Sequence, residues 1–408
     1  MTELYDITIV GGGIIGLSTA YNLQRLYPGL NILLLEKEKK FAFHQTGHNS
    51  GVIHSGLYYN PGSKKAEYSV RGRQRLIEFA AEHNIKHEIS GKVVVATDQS
   101  EIPHMRKIMA NGIANNLPGI EEISSNEVKE IEPFVESVGG LFVPQTGIID
   151  FVAVAEKLVE LIRGMNSGSA LLSSQEVIAV KTASAMKILT TRDNQFKTKK
   201  IIFCGGLQAD RLAKMDEVDL KERIVGFRGD YYELAEHARH KVKNLIYPVP
   251  DPKFPFLGVH FTRMIDGEVE CGPNAVLTFK REGYRKTDFS IKDTIDALSY
   301  RGTWKLLAGN FRYAINEYRR AFSKRLFLHT LQRMIPSLTM DDIRPGRAGV
   351  RAQYLSLDGD TKEDFKIEYT KDSIHVLNAP SPAATASLVI GEEITRMAEK
   401  HFQLNSLQ

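Results

Sequence analysis

The first thirty-six residues constrain the fold more than any other part of the chain. Tyr5 to Val10 (YDITIV) is a short β-branched run that reads as a buried strand. It runs straight into Gly11-Gly12-Gly13-Ile14-Ile15-Gly16, a complete G-x-G-x-x-G. From Leu17 to Tyr27 the pattern is helical, with Leu17, Ala20, Leu23 and Tyr27 on one face, and Pro28-Gly29 ends it. Asn31 to Leu35 is a second buried strand, and it ends on Glu36, twenty residues after Gly16. A lone G-x-G-x-x-G is weak evidence. With a strand before it, a helix after it and an acid at this distance, it predicts a dinucleotide site.

Each part has a physical task. Gly11 allows the tight turn out of the strand, Gly13 lets a pyrophosphate approach the backbone, and Gly16 lets the helix lie close to the sheet. The first helical amides, at Ile14 and Ile15, are unpaired donors at the positive end of the helix dipole. Glu36, with Lys37 beside it, is placed to meet the ribose. A carboxylate there repels a 2′-phosphate, which argues against NADP. The motif alone does not separate FAD from NAD.

Composition adds exclusions. The chain has 408 residues, 42% hydrophobic and 25% charged, enough for a large core and for two or three domains. Its net charge of +4 is too small to point to nucleic acid. Two cysteines, Cys204 and Cys271, exclude a disulfide scaffold and point to a reduced compartment. No apolar run nears the roughly 20 residues of a membrane span, and no signal or transit pattern precedes the first strand. The expectation is a cytoplasmic protein, with peripheral membrane contact left open.

The segment from His44 to Tyr59 (HQTGHNSGVIHSGLYY) holds three histidines and three glycines among hydroxyls and amides. It predicts a polar loop leading into a short helix or turn, whose small residues admit a large planar ligand. Lys200 to Leu207 (KIIFCGGL) is a buried strand ending on Gly205-Gly206, a second place where backbone can approach a cofactor or merely turn.

Glu36 followed by Thr46-Gly47-His48-Asn49-Ser50-Gly51-Val52-Ile53-His54-Ser55-Gly56-Leu57-Tyr58-Tyr59 resembles the FAD-dependent oxidoreductases of the D-amino-acid oxidase superfamily, and within it the L-2-hydroxyglutarate oxidase/dehydrogenase family. The resemblance continues through Phe227–Leu234 (FRGDYYEL), Leu245–Pro252, Pro255–Arg263 (PFLGVHFTR), Gly272–Val276 (GPNAV), Ala348–Gln353 (AGVRAQ) and Asn378–Thr385 (NAPSPAAT). It implies FAD as cofactor, with Thr46, His48, Asn49, Ser50 and Gly51 along the phosphates and flavin. It implies His54 near the flavin and the turn carrying Pro382, Ala383 and Ala384 at the pyrimidine edge. Val177, Gly205 and Gly206 complete the expected cofactor contacts. It also implies oxidation of a small-molecule 2-hydroxy diacid, L-2-hydroxyglutarate, to 2-oxoglutarate, with oxygen or a membrane quinone as electron acceptor.

The expected fold class is α/β, α+β overall. A Rossmann-like FAD domain (residues 1–85, 148–220 and 340–408) is interleaved with an antiparallel-sheet substrate domain (86–147 and 221–339). Helix is expected over about 62–83, with Lys64, Lys65, Arg71, Arg73 and Arg75 solvated, and again over 102–117, 125–132 and 151–164. Ala170 to Val180 is expected as one strand. Residues 301–340 carry eight Lys or Arg against the single acid Glu317, interleaved with Trp304, Phe311, Phe322 and other apolar residues. That pattern fits a solvated basic face or a helix lying on anionic lipid.

The chemistry asks for a base and for carboxylate anchors. His260 and His54 are the candidate bases, because the reference imidazole pKa of about 6.5 is close to working pH. His44, His87, His104, His237 and His329 are given no role. Arg351 is the first candidate for the substrate carboxylate, since a guanidinium pairs bidentately with an anion. Arg263 and Arg228 come second, either serving equally as a structural ion-pair partner. Tyr58 and Tyr59 offer hydroxyls or packing. No metal site is expected. The rival readings are an amino-acid or glycerol-3-phosphate oxidising enzyme of the same superfamily, an FAD-binding tRNA-modification protein, and a non-redox flavin scaffold.

Overall fold

The computed structural model describes residues 4–251, 258–362 and 364–404. Its first sheet runs in the order Ala179–Ala183, Met186–Thr190, Gln195–Phe203, Leu4–Val10, Ile32–Leu35, Ala170–Leu172. Ser373–Asn378 pairs in parallel with the end of Gln195–Phe203, and Lys366–Thr370 pairs with Ser373–Asn378. The centre is parallel, with Leu4–Val10 between Gln195–Phe203 and Ile32–Leu35. Central strands of such a sheet are buried on both faces, so they read as continuous apolar runs. Ile7, Ile9, Ile32 and Leu34 pack on the helix side, while Tyr5, Val10, Leu33 and Leu35 pack on the other side, under Val180, Leu189 and Phe196. The helix layer is Ile14–Leu26 flanked by Phe151–Met165 and Ser387–Phe402, with Lys64–Glu82 against the last of these.

The second sheet is mostly antiparallel. Its order is Val276–Leu277, Arg223–Leu234, Val269–Gly272, His260–Arg263, Leu245–Pro248, Lys92–Ala96, Gly139–Val143, Glu121–Ile123. The long strand Ile343–Leu355 pairs along Arg223–Leu234. Residues 343–355 therefore belong with this second sheet, not with the FAD-binding sheet that the expected boundary gave them. A small sheet of Val52–Ile53, Gly147–Ile149 and His87–Glu88 lies at the join.

Other expectations also change. Ala170–Leu172 and Ala179–Ala183 are separate strands. The first continues the parallel order and the second turns into an antiparallel meander, so one straight strand cannot serve both. Residues 44–59 form turns around the two-residue strand Val52–Ile53, with no helix. Arg73 is partly buried and its Nη1 has no hydrogen-bond partner among the described residues, so it does not sit on the solvated side of Lys64–Glu82. Pro255–Leu257, the start of the Pro255–Arg263 block, lies outside the described residues.

Candidate active site

The cofactor cradle follows from what each glycine excludes. Gly11 turns at φ +116°, and a Cβ there would stand 2.3 Å from the Cys204 carbonyl oxygen. A Cβ on Gly16 would stand 2.0 Å from the Gly11 carbonyl oxygen, so the helix can start this close to the strand only with glycine. At Gly13 a Cβ would meet only the Thr46 hydroxyl, at 3.4 Å, and the space beyond is open. The helix Ile14–Leu26 begins there without a side-chain cap on its N-terminal residue. The Ile14 amide donates to Thr46 Oγ1 (3.0 Å), which leaves the Thr46 hydroxyl proton free to donate outward. Glu36 is buried and fixed, accepting from the Gly12 amide on Oε2 (2.8 Å) and the Glu38 amide on Oε1 (2.8 Å). The Ile14 amide, expected as an unpaired donor, is thus committed to Thr46. An open backbone at Gly13, a helix N-terminus behind it and a fixed carboxylate at the next strand end fit an FAD pyrophosphate and ribose. The next segments are consistent with this: Val177 is buried beside Leu35 and Phe203, and Gly206 turns at φ +51° just past the Cys204 carbonyl.

Several expected contacts are committed to the protein itself. Lys37 pairs with Glu38 (2.8 Å) and Glu282 (2.6 Å). His48 stacks on Tyr284 (centroids 4.0 Å) and bonds through Nδ1 to the Phe43 carbonyl (2.8 Å). Asn49 spends its amide on the Thr46 carbonyl (2.6 Å) and its oxygen on the Gly51 amide (2.8 Å), so it shapes the loop around Ser50. Arg347 clamps this loop to the second sheet by donating to the Asn49 carbonyl (2.9 Å) while paired with Glu270. Gly349 lies under His48, whose carbonyl oxygen would be 2.6 Å from a Cβ. The Pro380–Thr385 turn is tied to the same loop: Thr385 Oγ1 accepts from the His54 amide (3.1 Å) and donates to the Val52 carbonyl (3.2 Å). Pro382, Ala383 and Ala384 are thereby held beside His54, and the Ser381 hydroxyl faces Tyr59.

Where this edge meets the second sheet, both candidate bases converge. His260, 5% exposed, lies edge-on to Tyr247 with centroids 4.1 Å apart. Its Nδ1 is 2.9 Å from the Gly258 carbonyl oxygen. A carbonyl only accepts, so Nδ1 carries the hydrogen and Nε2 keeps a lone pair. Burial pushes the His260 pKa down to about 3, with the positive charges of Arg351 and Lys92 and the neighbouring His54 adding to the shift. His54 is pushed down to about 4, by burial first and the Lys92 charge second. Both rings are therefore neutral near pH 7 and able to accept a proton. Burial raises the phenols of Tyr58, Tyr59 and Tyr247, and that of Tyr231 to about 12, so all four are hydrogen-bond donors here rather than anions.

Arg351 reaches this cluster, influencing His260, Tyr231 and Tyr313 electrostatically. The two alternative arginines do not. Register pairs Arg351 with Phe227 and Arg228 with Val350, so their side chains leave opposite faces of the ladder. Arg228 is spent on Asp230 (2.8 Å) and the Arg285 carbonyl (2.9 Å). Arg263 leaves the face opposite His260, donates to the Lys243 carbonyl (2.7 Å) and pairs with Glu88. Both are structural ion-pair partners.

One residue of the cluster escapes sequence reasoning. Lys92 opens the strand Lys92–Ala96 and is 2% exposed. Its Nζ is 3.3 Å from the Tyr58 hydroxyl and lies over the rings of Tyr58 (4.4 Å) and Tyr247 (4.9 Å). Among the described residues no carboxylate is within ion-pairing distance of it. Burial lowers its pKa to about 7. Cation–π contacts return about 0.5–2 kcal/mol, less than the several kcal/mol that desolvating an ammonium costs. In KVVVAT a leading lysine reads as the wet end of a strand, and no alternation in the run signals otherwise.

Comparison with known proteins agrees with the cradle. The family described as FAD dependent oxidoreductase matches residues 6–397. An L-2-hydroxyglutarate dehydrogenase from Indibacter alkaliphilus is 44% identical, over 98% of this chain and 100% of its own. The Homo sapiens mitochondrial L-2-hydroxyglutarate dehydrogenase is 41% identical, over 99% of this chain and 90% of its own. Among solved structures, the FAD-bound L-alpha-glycerophosphate oxidase from Mycoplasma pneumoniae superimposes with a TM-score of 0.78 at 24% identity, covering 97% of this chain and 94% of that one. Glycine oxidase from Geobacillus kaustophilus gives 0.74 at 16%, covering 98% and 95%. These two likenesses show the fold, and the sequence relatives carry the closer kinship. The chain belongs to the FAD-dependent oxidoreductases, in the family of the L-2-hydroxyglutarate dehydrogenases.

Proposed function

We propose that this protein oxidises L-2-hydroxyglutarate to 2-oxoglutarate, using His260 as base and Arg351 as the anchor of the carboxylate next to the reacting carbon. The observation that carries the reading is the meeting of two neutral histidines, His260 buried and His54 partly buried, with Arg351 at the edge of the FAD cradle. Bound FAD supplies the acceptor for the hydride that leaves Cα. The protein's part is to hold the substrate and take the hydroxyl proton. His260 Nε2 is the acceptor, because the Gly258 carbonyl fixes the hydrogen on Nδ1. A pKa of about 3 makes a weak base in the free protein. A dianionic substrate beside the ring reverses the surrounding charge and lifts that pKa toward the working range. Arg351 fixes the carboxylate, and through it the direction of the Cα–H bond. The neutral tyrosines around the ring offer hydroxyl donors and exclude water.

Membrane attachment, with a quinone as acceptor, is the second part of the proposal. Ile291, Ile295, Trp304, Phe311 and Phe322 are each more than half exposed on neighbouring helices that also carry Lys292, Arg301, Lys305, Arg312 and Arg319, and Phe289, just before the first of these helices, is exposed as well. Apolar side chains ringed by cations suit an anionic lipid surface. No helix among the described residues is long and apolar enough to cross a membrane.

The test is anaerobic mixing of the purified yellow protein with L-2-hydroxyglutarate, glycine, glycerol 3-phosphate and tRNA in turn. The expected result is loss of the oxidised flavin band with L-2-hydroxyglutarate alone. Bleaching by glycine or glycerol 3-phosphate instead moves the substrate assignment to those classes.

A further inference from the structure

We propose that Lys92 binds the second carboxylate of the substrate and is the residue that makes this a site for diacids; the assignment rests on the 2-hydroxyglutarate reading above. Its ammonium is buried between the Tyr58 and Tyr247 rings, with the Tyr58 hydroxyl as its one hydrogen-bond partner among the described residues. An ammonium has three donors, so two are left for a ligand. Its charge acts on His54 and on His260, and His260 also lies within electrostatic reach of Arg351. The candidate base thus stands between the influence of two cations carried by different strands, Lys92–Ala96 and Ile343–Leu355.

A chain with a carboxylate at each end and the reacting hydroxyl between them matches that layout. A monoacid occupies Arg351 and leaves Lys92 buried and unmatched, which is how a site rejects a ligand that lacks one polar group. A purely structural role explains the placement poorly. A methionine would fill the same volume without a charge to desolvate, so the lysine weakens the ligand-free fold. The pKa lowered to about 7 reflects that same cost.

The experiment compares the parent with Lys92→Met and Lys92→Arg. Glutarate, an unreactive diacid, is titrated by its perturbation of the flavin spectrum. Turnover is measured with L-2-hydroxyglutarate and with L-2-hydroxybutyrate, and Tm is measured without ligand. In Lys92→Met, glutarate Kd and L-2-hydroxyglutarate KM should rise about 10²-fold or more, the scale for removing one partner of a buried charge pair. L-2-hydroxybutyrate turnover should be unchanged or improved, and Tm should rise. Lys92→Arg, which keeps the charge, should retain part of the diacid preference. Equal losses on both substrates with a lower Tm would make Lys92 structural and overturn the proposal. Unchanged glutarate affinity with slow flavin reduction would make it a base, and also overturn it. If the parent itself does not oxidise L-2-hydroxyglutarate, the activity reading fails, and glutarate binding still judges Lys92 as a carboxylate site.

Discussion

At the residue scale, neutrality in the pocket is imposed by burial, and this separates the roles of its members. His260 acts when the hydroxyl proton leaves, so His260→Ala should slow flavin reduction by about 10²–10⁴-fold, the usual scale for general base catalysis. Substrate binding should change much less. Arg351→Lys keeps a charge but loses the bidentate fork, so KM should rise strongly with a smaller loss in kcat. Rapid-mixing measurement of flavin reduction separates the two effects. If His54→Ala is slow and His260→Ala is not, the base is His54. The pH dependence has a definite sign as well. Lys92 is half protonated near pH 7 in the free protein, so glutarate affinity should fall as pH rises above about 7. The groups around it do not titrate there: His54 and His260 are already neutral, and burial holds the Tyr58 and Tyr247 phenols protonated well above that pH. The fall should vanish in Lys92→Met, and a parental curve flat from pH 6 to 9 would contradict the lowered pKa.

At the element scale, the first strand–helix–strand unit makes its glycines unequal. Gly16→Ala drives a methyl into the Gly11 carbonyl, a 2.0 Å contact with backbone that cannot rotate away. Gly13→Ala meets only Thr46 Oγ1 at 3.4 Å in the ligand-free fold and crowds the pyrophosphate instead. Gly16→Ala should therefore lower apoprotein Tm sharply, while Gly13→Ala should fold normally and lose flavin. Glu36→Ala should also lose flavin. It frees the Gly12 and Glu38 amides that the carboxylate now holds, so it should soften the loop without unfolding the sheet. Flavin occupancy and Tm, measured together on all three variants, check this order. Equal Tm losses at Gly13 and Gly16 would falsify it.

At the scale of the whole molecule, the two sheets divide the work, and the helices after residue 290 leave an apolar surface uncovered. Phe322 is 70% exposed and Ile291 68%, while Phe327 in the next helix is fully buried. The segment is thus anchored by one side and open on the other. Co-sedimentation with vesicles containing anionic lipid should be strong at low salt and fall as ionic strength rises. Each basic residue near the surface contributes about 1 kcal/mol, screened by salt. Phe311→Ser with Phe322→Ser should weaken attachment and leave flavin reduction by L-2-hydroxyglutarate intact. Binding independent of lipid charge and salt would reduce this face to a solvated one.

The sequence by itself determined the local parts. Gly11, Gly13, Gly16 and Glu36 are legible because a dinucleotide cradle is built from neighbours along the chain, and backbone sterics at those positions depend on little else. The helices over Lys64–Glu82 and Phe151–Met165 are legible for the same reason, since their apolar period is written within one element. The reacting pocket is different. His54, Lys92, Tyr247, His260 and Arg351 come from five separate segments, and only the sheet register brings them together. Register also decided among the arginines, turning Arg351 inward and Arg228 and Arg263 to faces where Asp230 and Glu88 hold them. It carried residues 343–355 into the second sheet, where the pairing partner is more than a hundred residues away. Lys92 was illegible because its burial is a property of Tyr58 and Tyr247 closing over it, and nothing in its own strand records their approach.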